Sequence, residues 1–330
     1  MIINTYLSDF VDYYRKAAAL QRRNHYAGKA LHCGDPLMDH VTIYDTVLRR
    51  HAGFSNILED LHGRVKPTRE QKQWGLKEWL YVYGVHRMTG SGASFYPPTA
   101  GDKRHGYMNS ICPYLIKCAT RRQMIDAIEA WDRPMFTSKG NQPPPFPKPQ
   151  GGFTTGGKFY LCTIWPSAVD EIIYQLSTAR PKPTIRQATQ LITDWNVGQG
   201  YKRFTFTMTA FTMDIAEYHP SLISPESQCN YGANALLALD AMFDTTPRRH
   251  RPGWYDEVME LLREHLTDTG VSWKSTGARP MDVEDVLCDV VRYWLQFVPK
   301  VGYEHLTAAQ RENRSSISKQ RFEEFINARK

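Results

Sequence analysis

Thr184-Ile185-Arg186-Gln187-Ala188-Thr189-Gln190-Leu191-Ile192-Thr193-Asp194-Trp195 begins with a hydroxyl, carries a Gln three residues later, and then places apolar side chains at 188, 191, 192 and 195. The first feature is a capping box, in which the hydroxyl accepts from the third backbone N–H and the Gln reaches back to the cap. The second is the 3.6-residue period of an amphipathic helix. Both recur at Thr120-Arg121-Arg122-Gln123, followed by Met124, Ile125, Ile128 and Trp131, and the box recurs at residues 68–71 after Pro67. Amphipathic helices are further predicted at about 5–24, 168–177, 232–243, 254–266 and 282–297. In the last, Val283, Val286, Leu287, Val290, Val291 and Trp294 form one stripe. Strand signals are few: residues 158–165 read either as a short strand or as the entry to a helix. The predicted fold class is mainly α, a helical bundle with few or no strands.

The 330 residues are 42% hydrophobic and 23% charged, with 18 Tyr, 14 Phe and 8 Trp, a balance that supplies an ample core. The net charge of +7 favours polyanionic partners, nucleic acid above all. The six cysteines include no pair two residues apart, which argues against a structural metal and for reduced thiols. No metal or cofactor is expected. No run approaches the roughly 20 apolar residues needed to cross a bilayer, and the N-terminus lacks the apolar core of a signal peptide. The expected compartment is therefore the cytoplasm, with no membrane partner.

Residues 138–158 contain Pro143-Pro144-Pro145, Pro147, Pro149 and five glycines, so a continuous helix is not expected there. The stretch reads as a long loop on one compact domain spanning 1–330. Within it, Gly152-Phe153-Thr154-Thr155-Gly156-Gly157-Lys158 nearly matches a phosphate-binding loop. Phe159 stands where that motif needs a hydroxyl for Mg²⁺, and no apolar strand precedes it, so a flexible loop is the better reading.

Four segments carry candidate chemistry. His86-Arg87-Met88-Thr89-Gly90-Ser91-Gly92-Ala93-Ser94-Phe95, with His105, Tyr107 and Asn109 beyond it, ends an aromatic-rich helix in a loop of small residues. Small residues allow close backbone approach to a ligand, and Arg87 suits a bidentate grip on phosphate. Asp214-Ile215-Ala216-Glu217-Tyr218-His219-Pro220 brings a carboxylate and an imidazole to one helix end, where proton transfer is chemically accessible. The neighbours Phe206, Met208, Phe211 and Met213 predict that Asp214 is at least partly desolvated. Asn196-Val197-Gly198-Gln199-Gly200, followed by Lys202 and Arg203, reads either as a phosphate-facing turn or as a plain helix C-cap. Asn230-Tyr231-Gly232-Ala233-Asn234 is a tight turn into another helix.

The order of these pieces resembles the α-glutamyl/putrescinyl thymine pyrophosphorylase family of phage thymine-hypermodification systems. Phe54-Ser55-Asn56, the His86–Phe95 stretch with His105, Tyr107 and Asn109, Asp214, the turn around Asn230 and Gly232, and the helix Val283-Glu284-Asp285-Val286-Leu287-Cys288-Asp289-Val290-Val291-Arg292-Tyr293 carry the likeness. The last segment departs from the family's Leu-Cys-Glu-Phe-Asp-Lys-Tyr, keeping acidic and basic positions as Asp289 and Arg292 but placing Val291 at a carboxylate position.

This resemblance implies a helical fold related to helix-hairpin-helix DNA glycosylases. The implied activity is a transferase that replaces the phosphate or pyrophosphate of an activated 5-hydroxymethyluracil in DNA with an amino acid or polyamine. Arg87 and the 90–94 loop would hold the departing phosphate, and Asp214 or His219 would deprotonate the amine. A flipped-out base would stack on Phe95 or Tyr107. His86, Gly90, Ser91, Gly92, Ser94, His105, Asn109, Lys202, Arg203, Asn230, Gly232, Asp289 and Arg292 would complete the substrate and DNA contacts. Two alternatives stay open: a DNA glycosylase using Asp214, and a non-catalytic DNA-binding or host-interaction protein on the same scaffold.

Overall fold

A computed structural model of the chain describes residues 5–22, 58, 61–62, 67–89, 111–132, 153–201, 203–243, 251–268 and 278–295. Its helices are α1 (Thr5–Arg22), α2 (Leu76–Met88), α3 (Cys112–Leu115), α4 (Arg121–Glu129), α5 (Phe153–Phe159), α6 (Trp165–Thr178), α7 (Ile185–Gly198), α8 (Thr205–Tyr218), α9 (Ala233–Met242), α10 (Trp254–Asp268) and α11 (Pro280–Leu295). A 3₁₀ turn (Gln71–Gln73) precedes α2, and a π-helical turn (Tyr160–Ile164) joins α5 to α6. No strand occurs among the described residues, so the fold is mainly α, as the periodicity predicts. No described helix is long and apolar enough to cross a membrane.

The capping boxes form as read. Thr184 Oγ1 accepts from the Gln187 N–H at 3.1 Å, while Gln187 Oε1 accepts from the Thr184 N–H at 2.9 Å. Thr120 and Gln123 do the same at the start of α4. The box at Thr68 and Gln71 also closes, but it opens only the 3₁₀ turn. Trp74 then leaves helical geometry, and α2 starts afresh at Gly75, whose N–H donates to Glu78 Oε2 at 3.0 Å.

One expectation needs correcting. Residues 153–158 are helical and not a loop, while residues 158–165 take the second of their two readings, the entry to a helix; positions 138–152 lie outside the described residues. Tertiary packing outweighs the roughly 1 kcal/mol that each helical glycine costs. Tyr160 and Leu161 are fully buried, the Tyr160 hydroxyl donates to Asn196 Oδ1, and its ring meets Tyr201 edge-on at 4.9 Å. Lys158 is no phosphate ligand here: its ammonium donates to the Glu129 and Trp131 carbonyls at the C-terminal end of α4.

Contacts group the helices, read from sequence as one domain, into two units: α2–α8, and α1 with α9–α11. In the first, α2 packs on α6 and α8, and α7 packs on the same two, so four helices close around a common core. Trp165 fills it. Its indole N–H donates to the Tyr81 carbonyl at 3.3 Å and its ring meets Phe211 edge-on at 5.1 Å. The ring rests directly on Gly84, where an added Cβ would lie 2.0 Å from Trp165 Cζ2. Between α7 and α8 the buried hydroxyls of Thr189 and Thr212 meet at 2.7 Å, and each is also placed to donate to a carbonyl of the preceding turn, Ile185 and Met208.

In the second unit α9 lies against α11, and α1 packs on both. The predicted stripe of α11 is fully buried, but so are Asp282, Glu284, Asp285 and Asp289 on its other sides. Asp282 is neutralised by a bidentate pair with Arg279, at 2.8 and 3.0 Å.

Candidate proton-transfer site

Helices α2 and α8 lie side by side, and each presents two polar side chains spaced four residues apart on one face. On α2 these are Tyr83 and Arg87; on α8 they are Asp214 and Tyr218. The lower rung is an ion pair. Arg87 Nε and Nη2 donate to Asp214 Oδ2 and Oδ1, both at 2.6 Å, with the two side chains only 3% and 6% exposed. Such a short bidentate pair is the strongest class of charge-assisted hydrogen bond.

The upper rung is a small titratable cluster. The Tyr83 hydroxyl lies 3.1 Å from His219 Nε2, where α8 ends before Pro220, and it also hydrogen-bonds His62 Nε2. One imidazole accepts the hydroxyl proton and the other donates its N–H to the oxygen. His62 is clamped between the Trp79 ring, at 4.3 Å and 22°, and the Tyr218 ring, at 3.9 Å and 6°. Burial lowers the His62 pKa to about 3, with His219 reinforcing the shift and Glu217 opposing it. Burial also lowers His219 below the ordinary imidazole value. Burial, with Tyr218 and Asp214 adding to it, pushes Tyr83 well above the usual phenol range. At neutral pH the three groups are therefore uncharged, with a hydroxyl linking two basic nitrogens.

The predicted residues fall into distinct places. Arg87, Asp214 and His219 converge on the α2–α8 face, with Arg87 and Asp214 held by each other. Asp214 is buried as expected, and so are Met208, Phe211 and Met213, whereas Phe206 is 40% exposed. His86 is fully buried on α2. Arg203 pairs with Asp194 on the surface at 2.8 Å. Beside it, Gly200 sits at φ +82°, and the amides of Gln199, Gly200 and Tyr201 all donate to α7 carbonyls, as a C-cap does. Asn230 Nδ2 donates to Thr209 Oγ1 at 3.1 Å. Lys202, Gly90, Ser91, Gly92, Ser94, Phe95, His105, Tyr107 and Asn109 lie outside the described residues, as does the Arg292 side chain.

Gly232 and Asp289 belong to the other unit. There the Gly232 N–H, at the start of α9, donates to Glu284 Oε1 at 2.9 Å, and Cys288 Sγ donates to the same oxygen at 3.4 Å. Burial pushes the Glu284 carboxyl up to about 7 despite these two donors, and the buried Asp289 adds to the rise. No group of three or more His, Cys, Asp or Glu is placed to hold a metal ion among the described residues.

Sequence reasoning missed His62, Trp79, Tyr83, Tyr218 and Glu284 as site residues. The paired four-residue spacings, Tyr83 with Arg87 and Asp214 with Tyr218, are a signal that could have found two of them. His62 stands in a short polar stretch with no periodicity to mark it. No protein-family model, curated protein or solved structure matches the chain.

Proposed function

We propose that this protein is an enzyme that modifies a base in DNA, transferring an amine to an activated 5-hydroxymethyl group, with His219 as the general base. The observation that carries the reading is the Tyr83 hydroxyl held between the two neutral imidazoles of His62 and His219. A neutral imidazole is a competent base at pH 7, and when one of the two takes up a substrate proton the linking hydroxyl can hand a proton on to the other, so that a single positive charge moves along the chain. In the reaction the amine nitrogen bonds to the exocyclic carbon, the carbon–oxygen bond breaks, phosphate or pyrophosphate departs, and His219 takes the amine proton. The net charge of +7 suits a polyanionic substrate. Asp214, locked to Arg87, is assigned to holding α2 against α8 and so positions Tyr83 and His219 for the transfer.

The test is nucleoside mass spectrometry of DNA containing phosphorylated or pyrophosphorylated 5-hydroxymethyluracil, incubated with the protein and mixed amines. A base carrying a new carbon–nitrogen bond, lost in His219→Ala and reduced on the order of 100-fold in Tyr83→Phe, is the expected result. An abasic product would assign a glycosylase instead. Unchanged bases with every amine offered would overturn the enzyme reading.

A further inference from the structure

Among the described side chains, nearly every Lys and Arg is held by a carboxylate or a backbone carbonyl. Arg15, Lys77, Arg87, Arg121, Arg122, Arg203, Arg251, Arg263 and Arg279 meet carboxylates. Lys158, Arg180, Lys182 and Arg186 meet carbonyls. Arg69, Lys72 and Lys117 meet neither, and all three are exposed.

These three are neighbours. Arg69 lies in the turn that leads into the 3₁₀ turn, three residues before Lys72, and the Lys72 N–H donates to the Thr68 carbonyl at 3.3 Å, which folds the two cations into one tight turn. Gln71 between them is buried. Thr68 Oγ1 donates to the Ile116 carbonyl at 2.8 Å and Trp74 Nε1 to the Cys118 carbonyl at 2.7 Å. Those two bonds bracket Lys117 and clamp its segment beside the turn. Glu70 is the one carboxylate within the turn segment 67–74. The Lys117 ammonium stands 5.6 Å over the Tyr114 ring, which is 44% exposed and is braced edge-on by Trp131 at 5.1 Å. From this ridge the aromatic contacts run inward: Trp74 touches Trp79 at 4.8 Å, and Trp79 stacks on His62.

We infer that the ridge of Arg69, Lys72 and Lys117, with Tyr114, binds a single strand of nucleic acid beside the proton-transfer cluster. The three cations would meet successive phosphates, and the braced Tyr114 ring would stack on a base. Charge complementarity argues for this occupant: three exposed cations without a carboxylate partner lie together here, whereas the other described cations are paired, and a polyanion supplies the missing counter-charge. Stacking on an exposed, immobilised ring is the mode by which sequence-tolerant single-strand sites gain affinity. The inference rests on nucleic acid as the substrate.

The test uses the full chain and a fluorescein-labelled oligonucleotide, with fluorescence anisotropy read over a series of salt concentrations. Each phosphate neutralised on a single strand contributes about 0.7 to the slope of log affinity against log salt. The Arg69→Ala/Lys72→Ala/Lys117→Ala variant is expected to lower that slope by about 2. A control of equal charge loss, Arg15→Ala/Arg180→Ala/Arg251→Ala, is expected to leave it unchanged. Tyr114→Ala is expected to weaken binding on the order of ten-fold, and Tyr114→Phe to retain it. An unchanged slope in the ridge variant would overturn the inference. So would vesicles of phosphatidylserine and phosphatidylcholine that lose binding in this variant while the oligonucleotide does not. Ridge-dependent binding without base modification sinks the enzyme reading and leaves the ridge standing. Base modification with an unaltered slope does the reverse.

Discussion

Replacing Asp214 by Asn separates holding from chemistry at the α2–α8 face. The carboxylate accepts two hydrogen bonds of 2.6 Å from a guanidinium, with both side chains at or below 6% exposure. Asn has nearly the same shape, but its carbonyl can accept only one of the two N–H groups, and its amide turns a donor toward the other. It also removes one negative charge from beside a buried guanidinium. Removing one partner of a buried ion pair costs about 3–5 kcal/mol. With a denaturant slope of roughly 2 kcal/mol per molar urea, that corresponds to a midpoint lower by about 2 M. Because the chain forms two contact units, unfolding is best followed by hydrogen exchange of α2 and α8 amides at increasing urea, read by mass spectrometry, so that the loss is assigned to the right unit. Arg87→Met/Asp214→Leu, which removes both charges, should recover most of the loss. The reasoning is refuted if Asp214→Asn lies within about 1 kcal/mol of the parent while single-turnover activity collapses. The carboxylate would then be acting on substrate.

Gly84→Ala should destabilise α2–α8 by about 2 kcal/mol or more, checked by the same exchange measurement, because the new methyl collides with a Trp165 ring that has no exit. Overpacking of that kind outweighs the roughly 1 kcal/mol that Ala gains in helix propensity. In acid, the low pKa of folded His62 means that the unfolded chain binds a proton the folded chain refuses. Stability should therefore be lost as pH falls from 6.5 toward about 3, by up to roughly 1.4 kcal/mol per pH unit. His62→Phe, which keeps the stack, should flatten that limb in thermal melts of a pH series. Glu284 has the opposite sign: its folded pKa is raised from 4.5 to about 7, so its contribution is present below pH 4.5 and lost as pH rises through 7. Glu284→Gln should raise the melting temperature at pH 8 and leave it near the parent's at pH 4.

Helix positions were legible wherever local chemistry and periodicity agreed. Thr184 with Gln187, and Thr120 with Gln123, mark their helix starts in the sequence and in space alike. The box at Thr68 shows the limit: the cap forms, but Trp74 turns its indole to the Cys118 carbonyl and the chain leaves the helix. Residues 153–158 failed for the complementary reason, since glycine counts are local, while the burial of Tyr160, bonded to Asn196 of α7, and of Leu161, whose carbonyl accepts from Tyr81 of α2, is not. On α11 the apolar stripe was plain, yet the acidic residues outside it are buried too; Asp282 meets Arg279 three residues before it, and Glu284 meets the Gly232 amide, a partner 52 residues away. At the candidate site, Arg87, Asp214 and His219 stood out as residue types. That Asp214 holds Arg87 depends on an α2–α8 pairing that no local pattern encodes. His62 reaches the cluster through chain folding alone.

The two contact units impose an order on how the chain is made. Everything in α2–α8 is contiguous, so that unit is complete once residue 230 has left the ribosome. Helix α1 is synthesised before these partners, and its fully buried face of Leu7, Phe10, Tyr13 and Tyr14 must wait for α9, which starts at Ala233, and α11, which starts at Pro280. Closing a flexible loop of that length costs on the order of 5 kcal/mol of chain entropy, and prior folding of the intervening unit shortens the loop that has to close. Until then the apolar face of the amphipathic α1 has no partner in its unit, and unpaired apolar faces of that kind favour chaperone binding and self-association. A chain stopped before α11 would keep the Tyr83–His219 cluster and lose the partner on which its first helix folds.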